Sequence, residues 1–348
     1  MTRLRQLSVF LILVAACGGE RPATEAAPPT TSTQPPAAVA DKTFTLYSGR
    51  NEKLIRPLLE KFTAETGIKV EARFGESSEL AATLLEEGQR TPADVFLSQD
   101  AAGLGAVAKA GLARPLPQDV VSMVPSRFAS ADGRWVGISG RARTVVYNPK
   151  RIKPAHLPQS LEEVAEPRYR GKFGVAPPNA SFQSHMAAYG VVNGAEALDK
   201  LLAGMVKNEP RRYPRNGAIV DAVANGEIEW GLVNHYYVWE AKKEKPTASL
   251  ENFFMPKGEG SSFVNVAGVA QLADDPDAAV FIRYLLLEPA QRYFAEQTFE
   301  YPLVAGVQSP VALQPLDEIR TPQIDFARVS EALPETLKKI AESGLNRQ

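Results

Sequence analysis

Residues 44–74 read FTLYSGRNEKLIRPLLEKFTAETGIKVEARF. Residues 44–47 are a short run of strand character. Leu54, Ile55, Leu58, Leu59 and Phe62 then fall on one helical face until Gly67 stops them, and residues 69–74 return to strand character. A strand, a helix and a second strand in so short a span is the repeating unit of an α/β architecture. Pro57 lies beyond the first helical turn, so it costs that helix a hydrogen bond or shifts its start. The alternation continues outward, with residues 80–88 as a helix, 93–98 as a strand and 101–111 as a helix, the opening of a doubly wound lobe. Ligands of such sheets sit beyond the carboxyl ends of the strands, where this chain has Ser48 to Glu52 and Gln99-Asp100.

The 348 residues suit two domains or one two-lobed body. A formal net charge of -1 provides no broad basic field for nucleic acid. At the N-terminus, Arg3 and Arg5 precede an apolar run, residues 7–14, too short to span a bilayer, and small residues precede Cys17. This is the layout of a lipoprotein signal peptide over residues 1–16, with Cys17 as the lipidated first residue of the mature chain; a plain secretory signal is the other reading. Residues 17–41, rich in Ala, Pro and Thr, read as a disordered tether. Cys17 is the only cysteine, so once it is lipidated no thiol remains for a disulfide, a zinc cluster or a nucleophile. With no nucleophile elbow, phosphate loop or His-x-x-x-His pattern, an enzyme is not expected.

Chemistry concentrates at Val233-Asn234-His235-Tyr236-Tyr237, which ends the apolar run of residues 228–232. Adjacent side chains on a regular strand point to opposite faces, so Tyr236 and Tyr237 meet one object only where the strand has ended and the backbone turns. There the pair is a candidate chelate. A phenolate oxygen is a hard, anionic donor that suits Fe3+ rather than Zn2+ or Cu+. The alternative is an ordinary aromatic pair with buried rings and wet hydroxyls.

Several short segments occur in an order that resembles the bacterial periplasmic ferric-iron-binding proteins, the substrate-binding subunits of iron ABC transporters. They are Leu46-Tyr47-Ser48-Gly49-Arg50-Asn51-Glu52, Thr91-Pro92-Ala93-Asp94-Val95-Phe96, Gly137-Ile138-Ser139-Gly140-Arg141-Ala142-Arg143 and Val145-Val146-Tyr147-Asn148. Ala176-Pro177-Pro178-Asn179-Ala180-Ser181-Phe182, the run from Asn234 to Tyr237, and Glu300-Tyr301-Pro302-Leu303-Val304 complete the set. The resemblance implies an α/β, two-lobed periplasmic binding protein fold of type II, each lobe a mixed sheet flanked by helices, with hinge strands between. Residues 42–140 and 266–317 are expected to form the first lobe, and 141–265 and 318–348 the second.

The implied function is capture of ferric iron in the cleft between the lobes and delivery to an ABC-transporter permease and its ATPase. The chain is expected in the periplasm or at the extracytoplasmic face, a monomer that touches the membrane only through its lipid anchor. Tyr147, Tyr236 and Tyr237 are the implied phenolate ligands. Asn179, Ala180, Ser181, Asn216 and Asn234 are the implied contacts of a small synergistic anion such as carbonate or phosphate, to which Arg141 and Arg143 add charge or, equally, pair with structural carboxylates. The chain departs from the family where Asn51 replaces a histidine ligand, Gln99 a glutamate ligand and Glu52 a tyrosine ligand. Glu52 is a candidate fourth ligand or a first-turn residue that complements a helix dipole. His235 is not expected to bind metal, and His156 and His185 read as surface or core residues. The competing function is a binding protein of the same fold for another small solute, such as an organic anion.

Overall fold

The computed structural model describes residues 42–322 and 324–347. The expected signal peptide, Cys17 and the tether lie outside them. The body opens with β1 (Thr43–Ser48), α1 (Glu52–Thr66), β2 (Lys69–Phe74), α2 (Ser77–Glu87), β3 (Val95–Ser98), α3 (Ala101–Lys109) and the short α4 (Gln118–Val121). Asn51 caps α1 by accepting the Lys53 N–H, and Gly67, at φ 73°, ends it in the left-handed conformation. The helix keeps its start at Glu52 and carries Pro57 inside it, so the proline costs a hydrogen bond and not a turn. β1 pairs in parallel with both β2 and β3, the arrangement expected of the strand-helix-strand unit.

β4 (Val136–Tyr147) links two sheets. Its first half runs antiparallel to β9 (Val264–Gln271), which pairs in turn with β3 and completes the first lobe's sheet. Its second half runs antiparallel to β7 (Trp230–Asn234), with β8 (Glu251–Phe253) on its other edge. The second sheet continues from β7 to β5 (Phe173–Val175) and β6 (Arg211–Arg212), both parallel. Ser139-Gly140-Arg141 interrupts the apolar pattern but not the strand: the irregularity is a register shift between Gly137 and Ser139, a bulge inside a continuous β4. At Gly140 a Cβ would stand 3.2 Å from side-chain atoms of Leu303 and Tyr301, a tight approach where β10 (Tyr301–Pro302) pairs antiparallel with β4.

The second lobe adds α5 (Ala180–Asn193), α6 (Ala195–Lys207), α7 (Asn216–Asn225) and α8 (Tyr236–Glu244). Its sheet is buried on both faces. Val145, Phe173 and Trp230 pack on one side, with the Phe173 and Trp230 rings stacked at 4.7 Å, while Val146, Val233 and Ile219 pack on the other. The first lobe's core includes the mutually packed Phe44, Phe62 and Phe281, the last from α9 (Pro276–Leu285), which is followed by α10 (Glu288–Gln297).

The terminal α11 (Phe326–Ser343) belongs to both lobes, which corrects the expectation that residues 318–348 lie in the second. Ile319, Phe326 and Val329 are part of the first lobe's core, whereas Ile340 and Leu345 are part of the second's. Lys109 of α3 grips Glu331 at 2.8 Å, and Lys339 grips Asp199 of α6 at 2.7 Å. Pro334 lies between these two sets of contacts, inside the helix. Among the described residues no helix is long and apolar enough to cross a membrane.

Candidate functional site

β7 ends at Asn234 and α8 starts at Tyr236, so the backbone passes from extended to helical through the single residue His235. That turn is what lets two neighbouring tyrosines share a side. Their ring centroids are 4.5 Å apart, with the planes at 31°. Asn234 anchors the turn: its Nδ2 donates to Ser181 Oγ at 3.1 Å and to the Tyr236 hydroxyl at 3.4 Å, and its Oδ1 accepts from Arg143 Nη1 at 3.1 Å. Asn179 caps α5, its Oδ1 accepting the Ser181 N–H at 3.2 Å and the Phe182 N–H at 3.3 Å, and it also accepts from Asn216 Nδ2 at 3.3 Å. Ala180 and Asn216 are the first residues of α5 and α7. The structure therefore places Asn179, Ala180, Ser181 and Asn216 at two helix N-termini, linked to Asn234 at the end of β7 beside Tyr236. No side chain caps α7, and the positive ends of both helix dipoles favour an anion there.

The electrostatics point the same way. Arg141 and Arg143 are two residues apart on β4 and so share a face, and each is only 2% exposed. Nε and Nη2 of Arg143 are buried with no partner among the described residues, as is Nε of Arg141, whose Nη2 donates to the backbone carbonyl of Gln99 in the first lobe. Burial pushes the Arg143 guanidinium down to about 10, although the two tyrosine hydroxyls nearby oppose the shift. The nearby buried carboxylate, Glu300, is already held at 2.9 and 2.8 Å by Arg50 and at 2.6 Å by the Ser139 hydroxyl. Burial alone would raise the Glu300 pKa, but these partners keep it below the ordinary carboxylate range. On the far side, burial and the charge of Glu300 push the Glu240 carboxyl up to about 7. The Tyr237 hydroxyl is raised by burial and then by Tyr236, so it ionises only for a strong electrostatic return.

Two expected ligands are not brought into this group. Tyr147 ends β4, but β4 and β7 are antiparallel, so their carboxyl ends lie at opposite ends of the sheet. Tyr147 pairs with Trp230 while Asn234 pairs with Arg143, a separation of roughly 13 Å along the strand. Its hydroxyl donates instead to Glu251 Oε2 at 2.7 Å. Glu52 is the first residue of α1, and Arg56, one turn on, holds its carboxylate at 2.9 Å on the helix surface. His235 directs both ring nitrogens to protein groups, His185 is buried against the Gly260 carbonyl, and His156 is exposed. Gln99, which follows β3 where ligands of such sheets sit, has a buried Oε1 with no partner among the described residues. Arg141 and Arg143, named above for the charge they add, are linked by a period of two that gives the lobe-crossing strand a charged face.

Two sheets joined through one strand, a helix shared by both cores and a polar site where the lobes meet define a two-lobed solute-binding protein. Residues 90–331 match a family described as bacterial extracellular solute-binding proteins. The Fe(3+)-binding periplasmic protein of Serratia marcescens is 31% identical over 315 residues, covering 89% of this chain and 92% of that protein. The major ferric iron-binding protein of Neisseria meningitidis serogroup B is 32% identical over 302 residues, covering 84% and 90%. The solved structure of iron-bound HitA from Pseudomonas aeruginosa superposes with a TM-score of 0.81 at 33% identity, covering 87% of this chain and 99% of that one. The chain belongs to the extracellular solute-binding family, with ferric-binding periplasmic proteins as its relatives and the type II binding-protein fold. The family consists of solute-binding transport proteins, not enzymes.

Proposed function

We propose that this protein captures ferric iron between its lobes through the phenolates of Tyr236 and Tyr237 and passes it to the permease and ATPase of an ABC transporter. The observation that carries the reading is the pair of tyrosines set side by side at the β7–α8 turn, next to an arginine with unsatisfied donors. Two phenolates leave a ferric ion with one positive charge, and Arg141 and Arg143 add to it, so an anion completes the site. Carbonate or phosphate fits the donors of Asn179, Ala180, Ser181, Asn216, Asn234 and Arg143. Glu52 and Tyr147 have other partners and stand outside this ligand set. Cys17 carries the lipid that tethers a monomeric body to the extracytoplasmic face of a membrane.

Metal analysis and a visible spectrum of the purified protein test this reading. Ferric salt with carbonate or phosphate should produce a phenolate-to-iron charge-transfer band at one iron per chain. The unpaired guanidiniums also suit an organic anion as the solute itself, and that reading gains if ferric salt produces no colour.

A further inference from the structure

His235 uses every polar group it has. Its N–H donates to the Ala142 carbonyl at 2.9 Å, and its carbonyl accepts from Asn252 Nδ2 at 3.0 Å. Nδ1 accepts the Ala142 N–H at 3.2 Å, which leaves the proton on Nε2, and that N–H donates to the Phe299 carbonyl at 2.9 Å. The ring is fully buried, edge-on to Tyr236 at 5.8 Å and tilted over Tyr301 at 4.5 Å.

One side chain thus joins three segments. The first is the turn that carries the tyrosine pair. The second is the point where β4 changes lobes: Ala142 pairs with Val264 in the first sheet, and Arg143 with Asn234 in the second. The third is the segment leading into β10, where Phe299 holds φ at 53°, a left-handed conformation that a bulky side chain adopts only under constraint from its surroundings. The next residue is Glu300, whose carboxylate receives Arg50 and Ser139, and Arg50 immediately precedes the cap of α1. A path of ring contact, hydrogen bonds and chain neighbours therefore runs from Tyr236 through the imidazole and Phe299 to Glu300 and Arg50 on the first lobe's side of the cleft.

We propose that His235 is a positioning residue, not a ligand, which transmits occupancy of the tyrosine pair to the first lobe by holding the strained Phe299 turn. This rests on the ferric reading above. With both ring nitrogens engaged by protein, the imidazole has no lone pair to offer a metal. It sets instead where the first turn of α8 lies relative to Glu300 and Arg50, and so how firmly the lobes stay closed over the cargo.

The two bonds separate by substitution. An asparagine oxygen takes the place of Nδ1, and a glutamine amide nitrogen takes the place of Nε2–H. His235→Gln therefore keeps the tie to Phe299, while His235→Asn keeps only the tie to Ala142. Stripping of iron by excess chelator, followed as loss of the visible band, should be about tenfold faster in the Asn variant and within about threefold of the parent in the Gln variant. The band maximum should be the same in all three. In the parent, iron loading should slow amide exchange at residues 299–301, which do not touch the metal, and this readout holds even if the Asn variant fails to fold. Parental release from the Asn variant, or exchange at 299–301 indifferent to iron, overturns the coupling and leaves the tyrosine site standing. A parent protein with no visible band under any condition overturns both.

Discussion

Three tyrosines entered the candidate ligand set, and their surroundings now separate them. Tyr236→Phe or Tyr237→Phe should abolish most of the visible band and weaken iron binding by about 100-fold or more, while Tm changes little because ring packing survives. Tyr147→Phe should leave the band intact and cost about 1 kcal/mol of stability through the lost hydrogen bond to Glu251. Loss of colour in that variant, measured by iron titration, would restore Tyr147 to the site. The placement of Tyr236 and Tyr237 side by side was legible from sequence, because the apolar run ends just before them and the backbone turns there. The position of Tyr147 was not, since alternation reports the face of a strand and is silent on which end of an antiparallel sheet that residue reaches. His185 provides a second prediction at this scale. Burial and then the charge of Arg143 push its imidazole down to about 3, so the folded protein keeps it neutral. The unfolded chain takes up a proton near pH 6.5. Below that pH the unfolded state binds more protons, so stability falls as pH drops from about 6.5 towards 3. His185→Gln, which can still donate to Gly260, should flatten that decline in denaturant titrations at pH 7 and pH 5.

Two elements serve both lobes, β4 and α11. Hydrophobic period fixes which face of a helix is buried, but not which of two cores receives it, so sequence alone places residues 318–348 whole in one lobe. The packing instead divides α11 near Pro334, with Val329 on one side and Ile340 on the other. Proline cannot donate to the Ser330 carbonyl one turn back, so the helix is weakest where its allegiance changes. Pro334→Ala should restore that bond and raise Tm by roughly 2 °C or more. Small-angle scattering should then show a smaller difference between iron-free and iron-loaded protein than in the parent. An unchanged difference would mean that α11 moves as one piece.

Taken whole, the proposed ferric site forms its phenolates at the metal's expense, because burial raises the Tyr237 hydroxyl above its ordinary range. Binding should release about two protons per iron, so apparent affinity should fall by about two log units for each unit of pH lost. Absorbance followed against pH measures this. Glu52→Gln should reproduce the parental curve, since Arg56 already occupies that carboxylate. The two-lobed fold was legible through the family resemblance that motif order carries, and the opening α/β unit through strand-helix alternation. The unsatisfied arginines did not, because a guanidinium's need for a partner becomes apparent only once its surroundings are assembled. The strand shared by the two sheets has a thermal consequence as well. Neither sheet keeps β4 if the other lets go of it, and neither core can melt while α11 stays docked on both. Two lobes should therefore show one calorimetric peak, with calorimetric and van't Hoff enthalpies in agreement. Resolved peaks would mean that the shared strand can fray at the bulge beside Ser139, allowing one lobe to unfold while its companion survives.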